Sequence, residues 1–480
     1  MAPSTSATLE GGMTGVAESS EYFEKRSLKK GSVSWVMLMS LGIAYVISGD
    51  FSGWNFGIAN GGWLGMVIAF VVMGAMYLFM VLGIAEMSSA MPTAGAGYGF
   101  ARKAMGRVGG ALTGFAILIE YTICPAAIST FIAAYVHELG LFADVPTALI
   151  IGFFFVLFVG VHLVGVGEAL HVVFGITAVA VVGLVAFFVG MVPHFEVSNL
   201  FNITPAPGGT ELFPNGLMGV VAALPFGMWL FLAIEGVPLA AEESTDPKKD
   251  MPRGIISAFA VLAVFGILVV LLTAGGAGAD LAGNAPAPLV DALNAVGEYN
   301  IAMFVNYVGL AGLIASFFAT IFSGSRQMFA LSRAGYLPKF LSVTGSRKTP
   351  YVALLLGGCI AFILATVVQD GTILLNMAVF AACVSYAMMN LSHIILSKKH
   401  PEMERGFKCP GGIVLTTISF LLSLFAIYST FVVDVFAAGC TCAVLLGLMA
   451  YFALYSRKHL VGNAPEEEFA ALSAAESDLN

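Results

Sequence analysis

Runs of apolar residues, separated by short polar stretches, follow one another along almost the whole chain. A helix that crosses a membrane needs about 20 mostly apolar residues. Twelve segments meet that need: about 34–59, 63–90, 107–136, 146–165, 169–192, 215–241, 253–275, 301–325, 350–368, 372–396, 411–433 and 435–456. The fold class expected is an all-α polytopic membrane protein with twelve transmembrane helices. Two stretches interrupt the pattern. VISGDFSGWNFG (46–57) sets Asp50, three glycines and Asn55 in the middle of the first span. LPFGMWLFLAIEGVPLAAEES (224–244) sets Glu235 and Gly236 in the sixth. Glycine lowers the cost of leaving helical geometry. Paired interruptions in the two halves of a chain point to an inverted-repeat transporter with spans 1 and 6 broken. Lipid cannot satisfy the backbone groups that a break frees, so they must line a cavity or hold a solute.

The positive charges orient these spans. All 21 Lys and Arg residues precede span 1 or follow an even-numbered span. The other loops (137–146, 193–214, 276–300, 369–371 and near Asp434) hold none. By the positive-inside rule both termini are expected in the cytoplasm of a cell whose inner membrane the protein crosses. The domain boundaries that follow are a cytoplasmic tail over 1–32, a transporter domain over 33–456 and a cytoplasmic tail over 457–480. Within the transporter domain, the repeats are placed at about 33–192 and 215–396, with extra helices over 411–456. The N-terminal tail has no apolar run of the signal-peptide kind. The acidic C-terminal tail, after Lys458, is expected to be disordered.

Composition narrows the class further. The chain is 59% hydrophobic and 10% charged, with a mean hydropathy of +0.92. A soluble protein carries about 25% charged residues. The expected partners are a lipid bilayer and a small solute, with no nucleic acid. The six cysteines show no zinc or disulfide spacing and read as small buried hydrophobes, and the seven histidines form no metal-spacing pair. No cofactor or metal is expected. The loops hold no nucleophile–base pair or cofactor motif, which argues against an enzyme, and the tails show no signalling domain, which argues against an amine-binding sensor.

Asp50 carries the first chemical question. An acid near the bilayer middle costs roughly 2.5–3.5 kcal/mol on insertion scales, so it needs a partner or a cavity. As the spans are drawn, Lys and Arg are absent from their interiors, and Arg107 and Arg253 stand only at the first residues of spans 3 and 7. Two readings stand: Asp50 caps the second half of span 1, or it meets a cationic substrate. Phe51, Ser52 and Gly53 complete the first break. In span 6, Trp229 and Phe231 precede Ile234 and Glu235. An aromatic face there would roof a site and attract a cation, whereas the alternative for Trp229 is an interfacial anchor. Glu120 in span 3 and His171 at the start of span 5 are candidates for proton coupling, with Glu235 joining coupling or gating. Ser316 and Thr320 in span 8 offer hydroxyls to the site or to the backbone. Glu86 reads as a structural residue at the cytoplasmic end of span 2.

Three landmarks, AEMSSAMPTAGAGYGFARKAMG (Ala85–Gly106), AAEESTDPKKDMPRGI (Ala240–Ile255) and SRQMFALSRAGYLP (Ser325–Pro338), resemble the amino acid–polyamine–organocation superfamily, over roughly 33–455. Within it, SGDFSGWNFGIANGGW (Ser48–Trp63) is most similar to the ethanolamine permeases. The resemblance implies a five-plus-five inverted repeat with two added helices. It also implies a substrate held between the unwound centres of spans 1 and 6, and proton-driven transport or exchange. By position, Trp229 matches the aromatic lid and Glu235 an acidic gate residue, while His171 falls near the position where some relatives place a lysine. Amino acid members hold the substrate carboxylate on a Gly/Ser-rich loop in span 1. Here that stretch reads GDFSGWN, and Asp50 would repel a carboxylate. The expected function is therefore import of ethanolamine or a similar small primary amine, a small cationic substrate, by alternating access with proton coupling. The alternative is a neutral amino acid permease or exchanger.

Overall fold

In the computed structural model, the first apolar run forms helix α1 (Trp35–Phe51), and its second half opens α2 (Phe56–Ala90) after a four-residue interruption. The structure describes residues 33–462 except 93–94, 141, 143, 165 and 347, together with 16–17 and 31. Most of both expected tails lies outside the described residues. Gly62, at φ 71°, bends α2 where the first span turns back as the second. Gly106, at φ 72°, likewise divides a short helix from the third span within α3 (Gly97–Glu138).

The chain continues through α4 (Thr147–Val164), α5 (Val166–Met191) and α6 (Gly216–Trp229). α6 stops at a turn over 230–233 and resumes as a 3-10 segment, Ile234–Glu243. Then follow α7 (Pro247–Ala277), two short helices, α8 (Ala279–Asn284) and α9 (Pro288–Ala295), and α10 (Tyr299–Arg333). The last four are α11 (Tyr351–Val368), α12 (Gly371–Lys399), α13 (Gly412–Val433) and α14 (Val435–Leu454). Among the described residues, 11 helices are long and apolar enough to cross a membrane, and the shorter apolar helix Trp35–Phe51 completes the expected set. Val156, Val189, Val367 and Leu446 stand exposed on the outer faces. Apolar belts of that kind suit lipid contact and not water. This is an all-α fold with five-plus-five repeats and breaks in spans 1 and 6. Its only strands among the described residues are the two-residue pair Val16–Ala17 and Val461–Gly462.

The structure corrects two expectations. Leu460 and Val461, past Lys458, are buried, and the Val461 N–H donates to Ala334 O at 3.0 Å, so the start of the C-terminal tail is part of the fold. The helix of span 8 also runs eight residues beyond the expected 325, to Arg333. It therefore contains Arg326, which is 2% exposed and paired with fully buried Glu243 at 3.1 Å. The guanidinium also lies 4.1 Å over the Phe322 ring. Hydropathy ended the span at its first charge. The helix continues because Glu243, on the 3-10 segment, supplies the opposite charge.

Deleting one member of a buried ion pair strands the other, at a cost of roughly 3–5 kcal/mol. Arg326→Ala should therefore lower the thermal unfolding midpoint of the detergent-purified protein sharply. The double substitution Arg326→Met with Glu243→Leu should recover most of that loss.

Candidate functional site

The two breaks face each other, and side chains tie them together. At the first, Ser52 is extended and Gly53 has φ 96°. A Cβ on Gly53 would lie 2.6 Å from Trp229 Nε1, so no larger residue fits there. The carbonyls freed by the break find donors. Trp54 Nε1 donates to Asp50 O (3.2 Å), Tyr135 Oη to Phe51 O (2.8 Å) and Trp229 Nε1 to Ser52 O (2.9 Å). One turn earlier, the Ser316 hydroxyl enters the helical ladder of α1. It accepts from Ser48 N at 2.9 Å and donates to Ala44 O at 2.5 Å. A side chain inserted into the ladder is a recognised cause of local opening. At the second break, Ala233 adopts φ 76°, a strained conformation for a residue with a Cβ. Tyr121 Oη lies 3.2 Å from its carbonyl oxygen.

A small cavity lies between the breaks. It is lined by Tyr45, Val46 and Ser48 of α1, Cys124 and Ile128 of α3, Trp229, Leu232 and Ala233 at the second break, and Thr320 of α10. No Asp, Glu, Lys, Arg or His is among them.

Of the residues singled out in the sequence, Trp229 lines this cavity, with its ring edge-on to Phe131 at 6.1 Å. Phe51 instead points at α5 and α10, against Gly183, Gly309 and Gly312. Phe231 lies among Phe70, Tyr77 and Phe259, with ring centroids 5.2–5.5 Å away. Ile234 is fully buried beside Gly42 of α1. The carboxyl of Asp50 turns towards Gly266 of α7, near Phe70 and Leu230. It is fully buried, and neither oxygen has a hydrogen-bond partner. It accepts no N–H from the second half of span 1.

Glu120 and Glu235 come together in a second buried cluster. Tyr386 Oη lies 3.1 Å from Glu120 Oε1 and 2.9 Å from Glu235 Oε2, and it accepts from Tyr77 Oη at 3.0 Å. Tyr121 Oη donates to Glu235 Oε1 at 2.8 Å, and Ser385 Oγ reaches Glu120 Oε2 at 3.5 Å. The count of hydrogens matters here. Tyr386 has one proton to give and two carboxyl groups to give it to. Both short contacts are hydrogen bonds only if one carboxyl carries a proton of its own. Two carboxyl groups that share a site in this way can share one proton between them.

A family model described as amino acid permease matches residues 36–461. The chain belongs to that family. The branched-chain amino acid permease BcaP of Bacillus subtilis is 28% identical over 420 residues, covering 82% of this chain and 86% of that protein. The methylthioribose transporter of the same organism is 29% identical over 449 residues, covering 89% and 93%. The L-asparagine permease of Streptomyces coelicolor is 25% identical over 375 residues, covering 75% and 76%. The superfamily resemblance is thus supported. The narrower likeness to ethanolamine permeases is not, since these relatives are named for amino acids and methylthioribose.

In this permease, Ser316 serves the backbone of α1. Thr320 donates to Ser316 O of its own helix at 2.8 Å and also lines the cavity. His171 is exposed at the start of the fifth span, apart from the fully buried carboxyl cluster. The residues that sequence reasoning missed are tyrosines. Tyr77, Tyr121 and Tyr386 are buried, and their hydroxyls build the carboxyl cluster. Their position deep in apolar spans was the available signal, because a buried tyrosine hydroxyl needs a partner.

Tyr386→Phe would leave the carboxyl pair short of a donor, at a cost of about 1–3 kcal/mol. Its unfolding midpoint should drop accordingly. Tyr428→Phe, at a half-exposed tyrosine, should leave the midpoint unchanged.

Proposed function

We propose that this permease is a secondary transporter that imports a small neutral amino acid across the cytoplasmic membrane by alternating access, with both termini cytoplasmic. The observation that carries this reading is the uncharged lining of the cavity between the two breaks. A zwitterion brings both charges with it and can pair each with peptide groups of the broken helices. A lone ammonium group would stand there without a counter-charge. The penalty for burying an ion unpaired is several kcal/mol. Ethanolamine has few atoms with which to offset it: at a ceiling of about 1.5 kcal/mol per heavy atom, its binding cannot exceed about 6 kcal/mol. The names of the relatives favour the same reading.

One observation favours a primary amine instead. Both oxygens of Asp50 are buried and unpartnered beside the Phe70 ring, which is suited to an ammonium group. For that reading the amine sits between α1 and α7, outside the cavity described above.

Proton coupling is assigned to Glu120 and Glu235. A proton shared between them would sit next to the second break, and polar groups continue from it along the 3-10 segment. Around Gly236 converge the Tyr121 hydroxyl, the ring of Tyr45 and the Ser323 hydroxyl, and Ser323 is hydrogen-bonded to Tyr45. Arg326 and Glu243 follow one turn further on. A neutral amino acid taken up with a proton would move one positive charge.

Uptake of labelled alanine into liposomes holding the purified protein, with ethanolamine as competitor, separates the two substrate readings. Alanine uptake that excess ethanolamine leaves intact, and an Asp50→Asn variant with KM within about twofold of the parent, are the expected results. Ethanolamine uptake that Asp50→Asn weakens by more than about tenfold would transfer the assignment to the amine, since losing a charged hydrogen bond costs about 1.5–3 kcal/mol. For coupling, Glu120→Gln should abolish accumulation driven by an inward proton gradient while leaving counterflow exchange measurable. Accumulation at the parent rate would remove Glu120 from the path.

A further inference from the structure

A third cluster of ionisable groups lies away from both sites, where the ends of α2, α12 and α13 meet the loop over 400–411. Glu86 (5% exposed), His393 (1%) and Cys409 (7%) each offer one ligand atom, and the three atoms lie within 4.8 Å of one another. The loop is held against α2 by two backbone contacts: Cys409 N donates to Glu86 Oε2 at 2.7 Å, and Phe407 N to Ser89 Oγ at 3.2 Å. Arg405 Nε lies 3.2 Å from the other carboxylate oxygen, Glu86 Oε1.

The histidine decides what this cluster is suited to. His393 Nδ1 lies 3.0 Å from Thr416 Oγ1, whose hydroxyl is also 3.3 Å from Ile413 O. In the tautomer that donates from Nδ1 to Thr416, Nε2 carries a bare lone pair. Nε2 is buried and lacks a hydrogen bond, yet it sits 3.1 Å from Glu86 Oε2. In that tautomer two acceptors face each other, and they repel unless a cation lies between them. The Cys409 sulfur, the third ligand atom of the group, has only long contacts, to Pro410 O at 3.5 Å and Gly412 O at 3.8 Å.

We propose that Glu86, His393 and Cys409 bind a divalent ion of the zinc type. The donor set of one carboxylate oxygen, one imidazole nitrogen and one sulfur matches borderline-soft ions and not Mg²⁺ or Ca²⁺. Zinc bonds run about 2.0–2.3 Å, which brings tetrahedral ligands to roughly 3.3–3.7 Å from one another. Ligand atoms within 4.8 Å of one another have to close by up to about an ångström, and rotation of the Cys409 side chain about its Cα–Cβ bond can move the sulfur that far while its N–H stays on Glu86. On binding, the thiol releases its proton to solvent and sulfur takes up the metal. A water is left as the fourth ligand. Thr416 is the outer partner that orients His393, as partners of metal-bound histidines commonly do. The ion would join the ends of two spans from one repeat-bearing core to the first of the two added helices.

The test uses full-length protein in detergent, stripped with chelator and titrated with Co²⁺ and then Zn²⁺. One equivalent of Co²⁺ per chain with sulfur-to-cobalt charge-transfer absorption, displaced by Zn²⁺, is expected. Cys409→Ser should remove that absorption and His393→Gln should weaken binding at least about 100-fold, while Thr416→Val should weaken it about tenfold. Cys440→Ser should change nothing. The proposal is overturned if the parent protein shows no sulfur-to-cobalt band, or if the band survives Cys409→Ser. In either case the three side chains form a direct protein contact with no ion between them.

Discussion

The need to pair every backbone group inside an apolar medium governs this protein more than any other constraint. A helix meets that need by itself, and a break in a helix does not. The first break would be untenable alone. Trp54, Tyr135 and Trp229 close off three consecutive carbonyls, 50 to 52, and Ser316 takes over one rung of the ladder before them. These donors come from α3, α6 and α10 as well as from the break itself. The broken helix is therefore a property of the bundle, and the cavity exists because the surrounding helices make it affordable.

Trp229 shows how closely the two breaks depend on each other. Its backbone lies at the end of α6, its indole holds Ser52 O, and its ring lines the cavity. Gly49 and Gly53 make room for it: a Cβ on Gly49 would lie 2.7 Å from Trp229 O. Movement of either break disturbs the other through this one residue.

The treatment of charge follows the same logic of pairing. Arg326 is tolerated because Glu243 meets it, and Glu86 because Arg405 and the Cys409 N–H do. Glu120 and Glu235 have no base to face, and tyrosine hydroxyls surround them instead. That difference separates acids paired with a base from acids held only by hydroxyls. Among the described residues Asp50 has neither kind of partner, which marks it apart from the other buried acids of the core.

Much of this protein was determined by its sequence alone. Twelve apolar runs, the placement of every Lys and Arg, and the interruptions near Asp50 and Glu235 specify the helices and the position of both breaks, because length and hydropathy act locally. The extent of span 8 was misjudged for the opposite reason: Arg326 looks like an end until Glu243, 83 residues earlier, is brought beside it. The tertiary structure alone decided which way side chains point. Asp50, Phe51, Trp229 and Phe231 read in sequence as one site, yet they project to different sides of two breaks, since an irregular segment has no fixed period from which to read its faces. The meeting of Glu120 with Glu235 through Tyr386, and of Glu86 with His393 and Cys409, likewise depends on contacts between residues more than a hundred positions apart. Helices are written in neighbouring residues, whereas a site is assembled from whatever the packing of those helices brings together.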